Sequence, residues 1–131
     1  RAAIYNKVKN AVENGKQTVL VEDDSKTLTK IRSGKLRRAV EAGDELAIKV
    51  IDETCFYSGV AIANLCNLLN PEVIVMGGGM VEQMGEYMLP KIKVAAFDRI
   101  MLGAREVRII ATKLGDDAGI TGAAALAYDN A

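Results

Sequence analysis

A short β-prone segment of this chain runs directly into three consecutive glycines and then into a helical pattern. The apolar run is Val73 to Met76, and Gly77, Gly78 and Gly79 follow it. Only glycine adopts positive φ freely and lets a ligand approach bare backbone, so glycines at the carboxyl end of a buried strand indicate close backbone approach. Ordinary strand-to-helix turns use the same residues. The segment therefore predicts a strand–turn–helix unit that is either a simple turn or a nucleotide-binding loop.

The elements around this loop alternate between helix and strand. Ser33 and Asp44 are expected to cap the second and third helices, and Pro90 is expected to kink or divide the fourth. Such alternation favours a parallel or mixed α/β sheet, whose ligands gather at the carboxyl ends of the strands. In chain order we predict a helix at 2–14, a short strand at 17–21, a loop at 22–26, an extended segment or helical turn at 27–31, helices at 34–42 and 45–69, a strand at 73–76, a helix at 81–95, a strand at 107–111 and a helix from 118 to about 128.

Charge and hydropathy exclude several classes of partner. Seventeen basic and seventeen acidic side chains leave no net charge, so long-range attraction to nucleic acid is not expected. The longest uncharged run, Thr54 to Pro71, is interrupted by serine, threonine and asparagine side chains. Since unpaired amides are costly in hydrocarbon, we expect a helix buried in a soluble protein rather than a membrane segment.

Cysteine and histidine usage limits the chemistry further. Cys55 and Cys66 are eleven positions apart on one predicted helix, which places them ~16 Å apart along its axis. They cannot form a disulfide with each other or share one metal, so we expect buried, reduced thiols in a cytoplasmic protein. No histidine occurs in the chain, which excludes imidazole bases and histidine metal ligands within these residues.

Two further patterns bear on binding. The glycine loop matches neither the G-x-G-x-x-G fingerprint nor the P-loop, because position 82 is Glu and no G-K-S/T sequence exists. Asp116 and Asp117 precede the last predicted helix, where they could bind Mg²⁺ or act as a base. An N-terminal cap for a helix that begins near Ala118 is the structural alternative, and we favour it.

Three segments, "EAGDELAIKVI", "GVAIANLCNLLNPEVIVMGGGM" and "LGDDAGITGAAALA", in this order resemble the carboxyl-terminal half of ROK proteins. The resemblance is specific from about Gly34 and looser from Arg1. ROK proteins include bacterial sugar kinases such as glucokinase, and sugar-responsive transcriptional repressors. The resemblance implies an α/β fold that is the carboxyl-terminal half of an actin-like, ribonuclease H-like ATPase fold, helix-rich with few strands, with ATP in the cleft between two domains.

The resemblance also implies roles for particular residues. Gly77, Gly78 and Gly79 match the family's adenosine-side motif, Met80 is the adjacent wall of that pocket, and residues 118–131 form the helix that crosses back at the interdomain hinge. The family's amino-terminal phosphate loop, its catalytic aspartate and its cysteine-rich zinc motif have no counterpart in these residues. We therefore assign no catalytic residue and no metal ligand.

The chain begins at Arg1 without a methionine and shows no signal-peptide pattern, so we expect residues 1–131 to be one domain of a longer polypeptide. The function implied for the intact protein is phosphoryl transfer from Mg-ATP to a sugar hydroxyl, and we expect the 131-residue chain alone to be inactive. The alternative is a sugar-sensing and oligomerisation domain of a ROK repressor. A stand-alone interaction module, in which the glycine loop is only a turn, is a third possibility. We also expect a homo-oligomer, a dimer, to which the long apolar helix contributes.

Overall fold

The computed structural model describes residues 2–21, 31–101 and 107–129, except the side chains of residues 116 and 118. These ranges contain five α-helices, two strands and a single 3-10 turn. In chain order they are α1 (Ala2–Glu13), α2 (Ser33–Glu41), α3 (Glu45–Leu69), β1 (Val73–Met76), α4 (Gly79–Phe97), β2 (Arg108–Ala111), the 3-10 turn (Gly115–Asp117) and α5 (Ala118–Asp129).

Helix α3 is the centre of the fold, and both of its predicted ends are confirmed. Asp44 caps its start by accepting a hydrogen bond from the Ala47 amide at 2.8 Å. At the other end Asn70 adopts the left-handed conformation, with φ of 46°, and its amide donates to the Cys66 carbonyl at 2.8 Å. Pro71 cannot continue the helix. Capping chemistry at each end therefore fixes the length of α3.

Helices α3 and α4 pack closely because of one glycine. A Cβ added at Gly59 would lie 2.5 Å from the Ala95 Cβ and 2.7 Å from the Ile92 carbonyl oxygen. Tyr87 and Lys91 of α4 both bind the Asp52 carboxylate of α3, the Tyr87 hydroxyl at 2.8 Å and the Lys91 ammonium at 2.7 Å. The two helices thus meet backbone to backbone at one point and are joined by a polar cluster at another.

Strands β1 and β2 form a parallel pair in which Val73 lies opposite Arg108 and Met76 lies opposite Ala111. Helix α4 is the crossover between them, as parallel strands require. Ile109 is buried on the face that α4 covers, whereas Val75 and Ile110 of the opposite face are exposed. Both strands end at the same edge, which positions the candidate site.

One core cluster joins buried side chains of α1, α2, α3 and α4 with Ile109 of β2. Its fully buried side chains include Val8, Leu20, Ile51, Ile92 and Ile109. Within the described ranges no buried side-chain nitrogen or oxygen lacks a hydrogen-bond partner. No helix in those ranges has the length and apolar character needed to cross a membrane.

The strand predicted at 17–21 is wrong, because these residues form a turn. The Thr18 hydroxyl accepts from the Leu20 amide at 3.2 Å, and the Val21 amide donates to the Thr18 carbonyl at 3.4 Å. This turn places Leu20 in the core without a neighbouring strand among the described residues. The loop predicted at 22–26 lies outside the described ranges, as do residues 27–30 of the next predicted segment.

Two helix boundaries also differ from the predictions. Ser33 is the first residue of α2 rather than its cap, and Arg32 at the cap position makes no side-chain cap hydrogen bond. Helix α4 begins at Gly79 instead of residue 81, and its one non-helical residue is Met84, with φ of −135°, rather than a residue at Pro90. A proline affects the carbonyl four residues before it, which here is that of Glu86, so the break at Met84 is not the kink expected from Pro90.

Candidate functional site

The loops that follow β1 and β2 lie side by side. Since Met76 pairs with Ala111, Gly77 and Thr112 are the first residues beyond the sheet on neighbouring strands. The Thr112 amide donates to the Met76 carbonyl at 2.7 Å, which extends the pairing by one step. Two connections therefore converge at the carboxyl edge of the sheet, where parallel α/β folds bind their ligands.

One of the three glycines in the first loop is required by its backbone conformation, and a second lies close to the neighbouring segment. Gly78 has φ of 92° and ψ of 163°, a conformation that L-amino acids rarely adopt. A Cβ on Gly77 would lie 3.1 Å from the Thr112 Cγ2, which is a tight approach. Gly79 begins α4. The turn itself therefore accounts for Gly78, and the close approach of Thr112 favours a glycine at Gly77.

The start of α4 faces this edge with free backbone donors. The Glu82 amide donates to the Gly78 carbonyl at 3.1 Å, so the amides of Gly79, Met80 and Val81 precede the helical hydrogen-bond ladder. Such amides, with the positive end of the helix dipole, suit a ligand that carries hydrogen-bond acceptors. Met80 itself is half-buried and packs against the core, and its role as a pocket wall stays a prediction.

Next to this loop lies a groove of about 900 Å³ between α2, α4 and the segment after β2. Its lining begins at Val81, directly after the predicted residues Gly77 to Met80, which border it without lining it. Sequence reasoning did not identify the groove residues, because they come from three separate parts of the chain. The lining residues are Arg37, Val40, Glu41, Val81, Glu82, Gln83, Met84, Gly85, Glu86, Tyr87, Leu89, Pro90, Ala111, Thr112, Lys113 and Gly115.

Charges of both signs lie in the groove. Arg37 and Glu41 form an ion pair at 3.8 Å along α2. The Glu82 carboxylate covers the backbone of Gly115, where a Cβ would lie 3.3 Å from Oε1. Gly115 has φ of 53°, and the glycine signal in "KLGDD" could have identified this turn. The lining contains the cationic Arg37 and Lys113 as well as three glutamates, so the charges of the two signs are nearly balanced in the groove.

The described residues contain no group of three acidic or cysteine side chains that could hold a metal ion. Cys55 and Cys66 are both buried and free, in agreement with the predicted reduced thiols. Burial, together with the nearby negative charge of Asp52, raises the pKa of Cys55 to about 11.

Asp117 is exposed in the 3-10 turn directly before α5, while the side chain of Asp116 lies outside the described structure. Whether this acidic pair caps α5 stays a prediction.

Helix α5 presents its side chains to solvent. Ile120, Leu126 and Tyr128 are all largely exposed, and a Cβ on Gly119 or Gly122 would meet no atom within 4 Å. The predicted close packing of this helix against another therefore has no partner in the described parts of the chain. Its role as a hinge-crossing helix stays a prediction.

The family of this chain is decided by a match that covers nearly all of it. The model of the ROK family matches residues 6–130. The chain belongs to the ROK family. The solved ROK structures below agree that this ROK chain has the carboxyl-terminal half of an actin-like, ribonuclease H-like fold, and the predicted fold class is confirmed.

Three relatives illustrate the range of the ROK family. A glucokinase of Halalkalibacterium halodurans is 47% identical over 88 residues, which are 64% of this chain and 26% of that protein. The ROK family glucokinase of Streptomyces griseus, solved with glucose and AMPPNP, is 25% identical with a TM-score of 0.76, covering 95% of this chain and 41% of that one. A ROK family transcriptional regulator, a homolog of the E. coli MLC protein, is 27% identical with a TM-score of 0.67, covering 84% of this chain and 26% of that one. The ROK chain spans less than half the length of each of these relatives.

Proposed function

We propose that this chain supplies the adenosine side of the ATP cleft in a glucokinase-like, ATP-dependent sugar kinase. The observation that carries the proposal is the similarity to the S. griseus glucokinase solved with glucose and AMPPNP, which extends over 95% of this chain. The glucokinase of H. halodurans, at 47% identity, supports the same activity. Phosphoryl transfer from Mg-ATP to a sugar hydroxyl is then the reaction of the whole protein.

The residues at the carboxyl edge of the sheet fit an adenosine group. Gly77 and Gly78 keep the backbone bare beside Thr112, and the free amides at the start of α4 offer donors to ribose or base acceptors. The neighbouring groove combines apolar walls, such as Val40 and Leu89, with charges of both signs. Such a lining suits a planar, uncharged base, and it leaves the phosphates to be held by other parts of the protein.

A binding experiment tests this assignment. AMPPNP is titrated calorimetrically into a longer ROK polypeptide that contains these residues, as wild type and as Gly78→Ala. We expect the variant to bind AMPPNP at least tenfold more weakly while its affinity for glucose is unchanged, since only the nucleotide edge is distorted. Ser58→Ala, on the α1 side of α3, is the control and retains both affinities. Equal AMPPNP affinity for wild type and Gly78→Ala would contradict the assignment.

The sugar is identified by a coupled kinase assay with the same longer polypeptide over a small panel of hexoses and N-acetylhexosamines. We expect phosphorylation of glucose to exceed that of the other sugars. The similarity of this chain to glucokinases is the reason for that order.

A second function is favoured by the similarity to the transcriptional regulator. In that case the domain senses a sugar and supports oligomerisation, while another part of the polypeptide binds DNA. Gel-shift measurements with the longer polypeptide distinguish the two functions, because sugar-dependent DNA binding without sugar phosphorylation supports the regulator. We further propose that the protein is cytoplasmic and acts as a homodimer.

A further inference from the structure

One carboxylate in the groove between α2 and α4 has no partner among the described residues. Glu82 lines this groove and belongs to the first turn of α4. The part of the chain that the structure describes gives its side chain neither a hydrogen bond nor an ion pair. On the α2 wall, by contrast, Arg37 and Glu41 pair with each other at 3.8 Å. The Glu82 carboxylate is therefore available to a ligand.

The turn after β2 determines where this carboxylate lies. A Cβ added at Gly115 would be 3.3 Å from the Oε1 and 3.6 Å from the Cδ of Glu82, so the glycine leaves room for the carboxylate beside the backbone of the turn. The Glu82 amide donates to the Gly78 carbonyl at 3.1 Å, which places this residue one helical turn from the glycine loop. The carboxylate thus lies where the loops that follow β1 and β2 meet.

The groups along the groove occur in the order of the parts of a nucleoside. The amides that precede the helical hydrogen-bond ladder lie at the edge of the sheet, together with Glu82. Leu89 lines the groove roughly 10 Å further along the axis of α4, and Val40 adds an apolar side chain from α2. A planar base fits between such apolar side chains, which leaves its ribose at the edge of the sheet, beside Glu82.

Hydrogen-bond chemistry identifies the part of the nucleotide that a free carboxylate can recognise. A carboxylate accepts hydrogen bonds through two oxygens, and these bonds are strong because the acceptor is charged. The 2′- and 3′-hydroxyls of ribose are two neighbouring donors. Dinucleotide-binding folds likewise place an acidic side chain on the 2′-hydroxyl. Lys113 lines the same groove, and its charge offsets the repulsion between Glu82 and the phosphates of a nucleotide.

We propose that Glu82 accepts hydrogen bonds from the 2′- and 3′-hydroxyls of the bound nucleotide and thereby selects ribonucleotides over 2′-deoxyribonucleotides. The assignment rests on the proposed nucleotide site and adds a specificity residue to it. A 2′-deoxyribose offers one donor fewer, so one oxygen of the carboxylate loses its hydration without gaining a partner.

A structural role of Glu82 predicts a different result. An acidic residue in the first turn of a helix stabilises the helix through its dipole. That effect acts on the fold, so its loss changes the affinity for every nucleotide equally. A contact with the diol affects the ribonucleotide more than its 2′-deoxy analogue. The ratio of the two affinities therefore separates the two roles.

Calorimetric titration of AMPPNP and 2′-deoxy-AMPPNP into a longer ROK polypeptide that contains these residues measures this ratio. We expect the wild type to bind AMPPNP about tenfold more tightly or better, as is usual for a hydrogen bond to a charged group. Glu82→Ala should bind both analogues with the affinity that the wild type has for 2′-deoxy-AMPPNP. Glu82→Gln keeps one acceptor oxygen and should show an intermediate preference.

Glu86→Ala is the matched control. Glu86 is another glutamate of the groove, one turn further along α4, and its side chain has no partner in the described ranges either. This variant should keep the preference of the wild type for AMPPNP. Circular dichroism establishes that each variant is folded.

The outcomes distinguish this inference from the nucleotide site on which it rests. A wild type that binds neither analogue refutes both. Equal binding of the two analogues by the wild type leaves the nucleotide site intact and refutes the role of Glu82. An equal loss of both affinities in Glu82→Ala shows a structural role only and also overturns the proposal, as does a Glu86→Ala variant that loses the preference to the same extent.

Discussion

Single residues determine where the elements of this fold begin, and Asp44 is the clearest case. Its carboxylate accepts from the Ala47 amide at 2.8 Å and from the Val19 amide at 2.7 Å. Burial alone would raise the pKa of Asp44, but these hydrogen bonds outweigh it and hold the pKa below its ordinary value of 3.8. The ionised side chain therefore stabilises the folded state, joining the start of α3 to the turn that follows α1.

Asp44→Ala should lower the free energy of unfolding by about 1–2 kcal/mol at pH 7, the usual effect of losing an N-cap. Because the folded-state pKa is lowered, the stabilisation is present above 3.8 and is lost as the pH falls through the folded-state value. The difference between wild type and variant should thus be largest near neutral pH and shrink below 3.8. Urea denaturation followed by circular dichroism at pH 7 and pH 3 measures it. Asp44→Asn is the control, since an asparagine side chain also caps a helix but does not titrate. If the difference in free energy of unfolding between wild type and Asp44→Ala did not change with pH, this explanation would be contradicted.

Gly78 has a backbone conformation that strongly favours glycine at this position. Its φ of 92° lies outside the regions that L-amino acids favour, although a Cβ there would meet no neighbour within 4 Å. Gly78→Ala should therefore destabilise the chain by about 1–3 kcal/mol through backbone strain alone. Gly119→Ala, in a helix with open space around the added methyl, should be neutral or stabilising. Thermal denaturation measures the stability of each variant. Equal stability of Gly78→Ala and Gly119→Ala would contradict the expected backbone strain at Gly78.

At the scale of elements, the contact between α3 and α4 decides how the domain packs. Gly59→Ala would push a methyl against Ala95 and the α4 backbone, at distances of 2.5 to 2.9 Å. Overpacking of this kind costs about 1–3 kcal/mol, which exceeds the gain in helix propensity from alanine. Gly122→Ala is a matched helical control with no atom within 4 Å of the new methyl and should stabilise α5. Chemical denaturation midpoints measure both; a stabilising Gly59→Ala would contradict the close packing.

The sequence predicted the elements that neighbouring residues determine, and it did not predict those that depend on distant parts of the chain. Helix α3 was predicted at both ends because Asp44 and Pro71 act on their immediate neighbours. The strand at 17–21 was not formed, because β-prone residues need a neighbouring strand and Thr18 closes a local turn instead. At the candidate site, Gly77 to Gly79 could be identified from the sequence, because the turn that calls for glycine depends on neighbouring residues of the chain. Thr112 and Arg37 could not, because their positions depend on strand register and on the packing of α2 against α4.

At the scale of the whole molecule, the proposed adenosine site occupies one edge of the described domain. The carboxyl ends of β1 and β2 and the start of α4 form that edge. This chain covers 41% of the S. griseus glucokinase that was solved with glucose and AMPPNP. Ile120, Leu126 and Tyr128 of α5 face solvent in the described residues.

We therefore predict that the 131-residue chain shows no sugar kinase activity. A coupled assay with glucose and Mg-ATP should give turnover at the buffer background, since positioning both substrates requires a second half. The S. griseus glucokinase, assayed in parallel, serves as the positive control. Glucose phosphorylation by the purified chain above background would refute the prediction.

The two buried cysteines of α3 allow local opening of the domain to be measured by thiol labelling. Burial and the charge of Asp52 raise the pKa of Cys55 to about 11, and burial also raises the pKa of Cys66. A thiol reagent at pH 8 therefore encounters protonated, inaccessible sulfur until α3 separates from the elements around it. When closing is fast, the rate of labelling divided by the rate for a free thiol gives the fraction of time that the domain spends open. The two native cysteines thus allow local opening around α3 to be measured without introducing a labelling site by mutation.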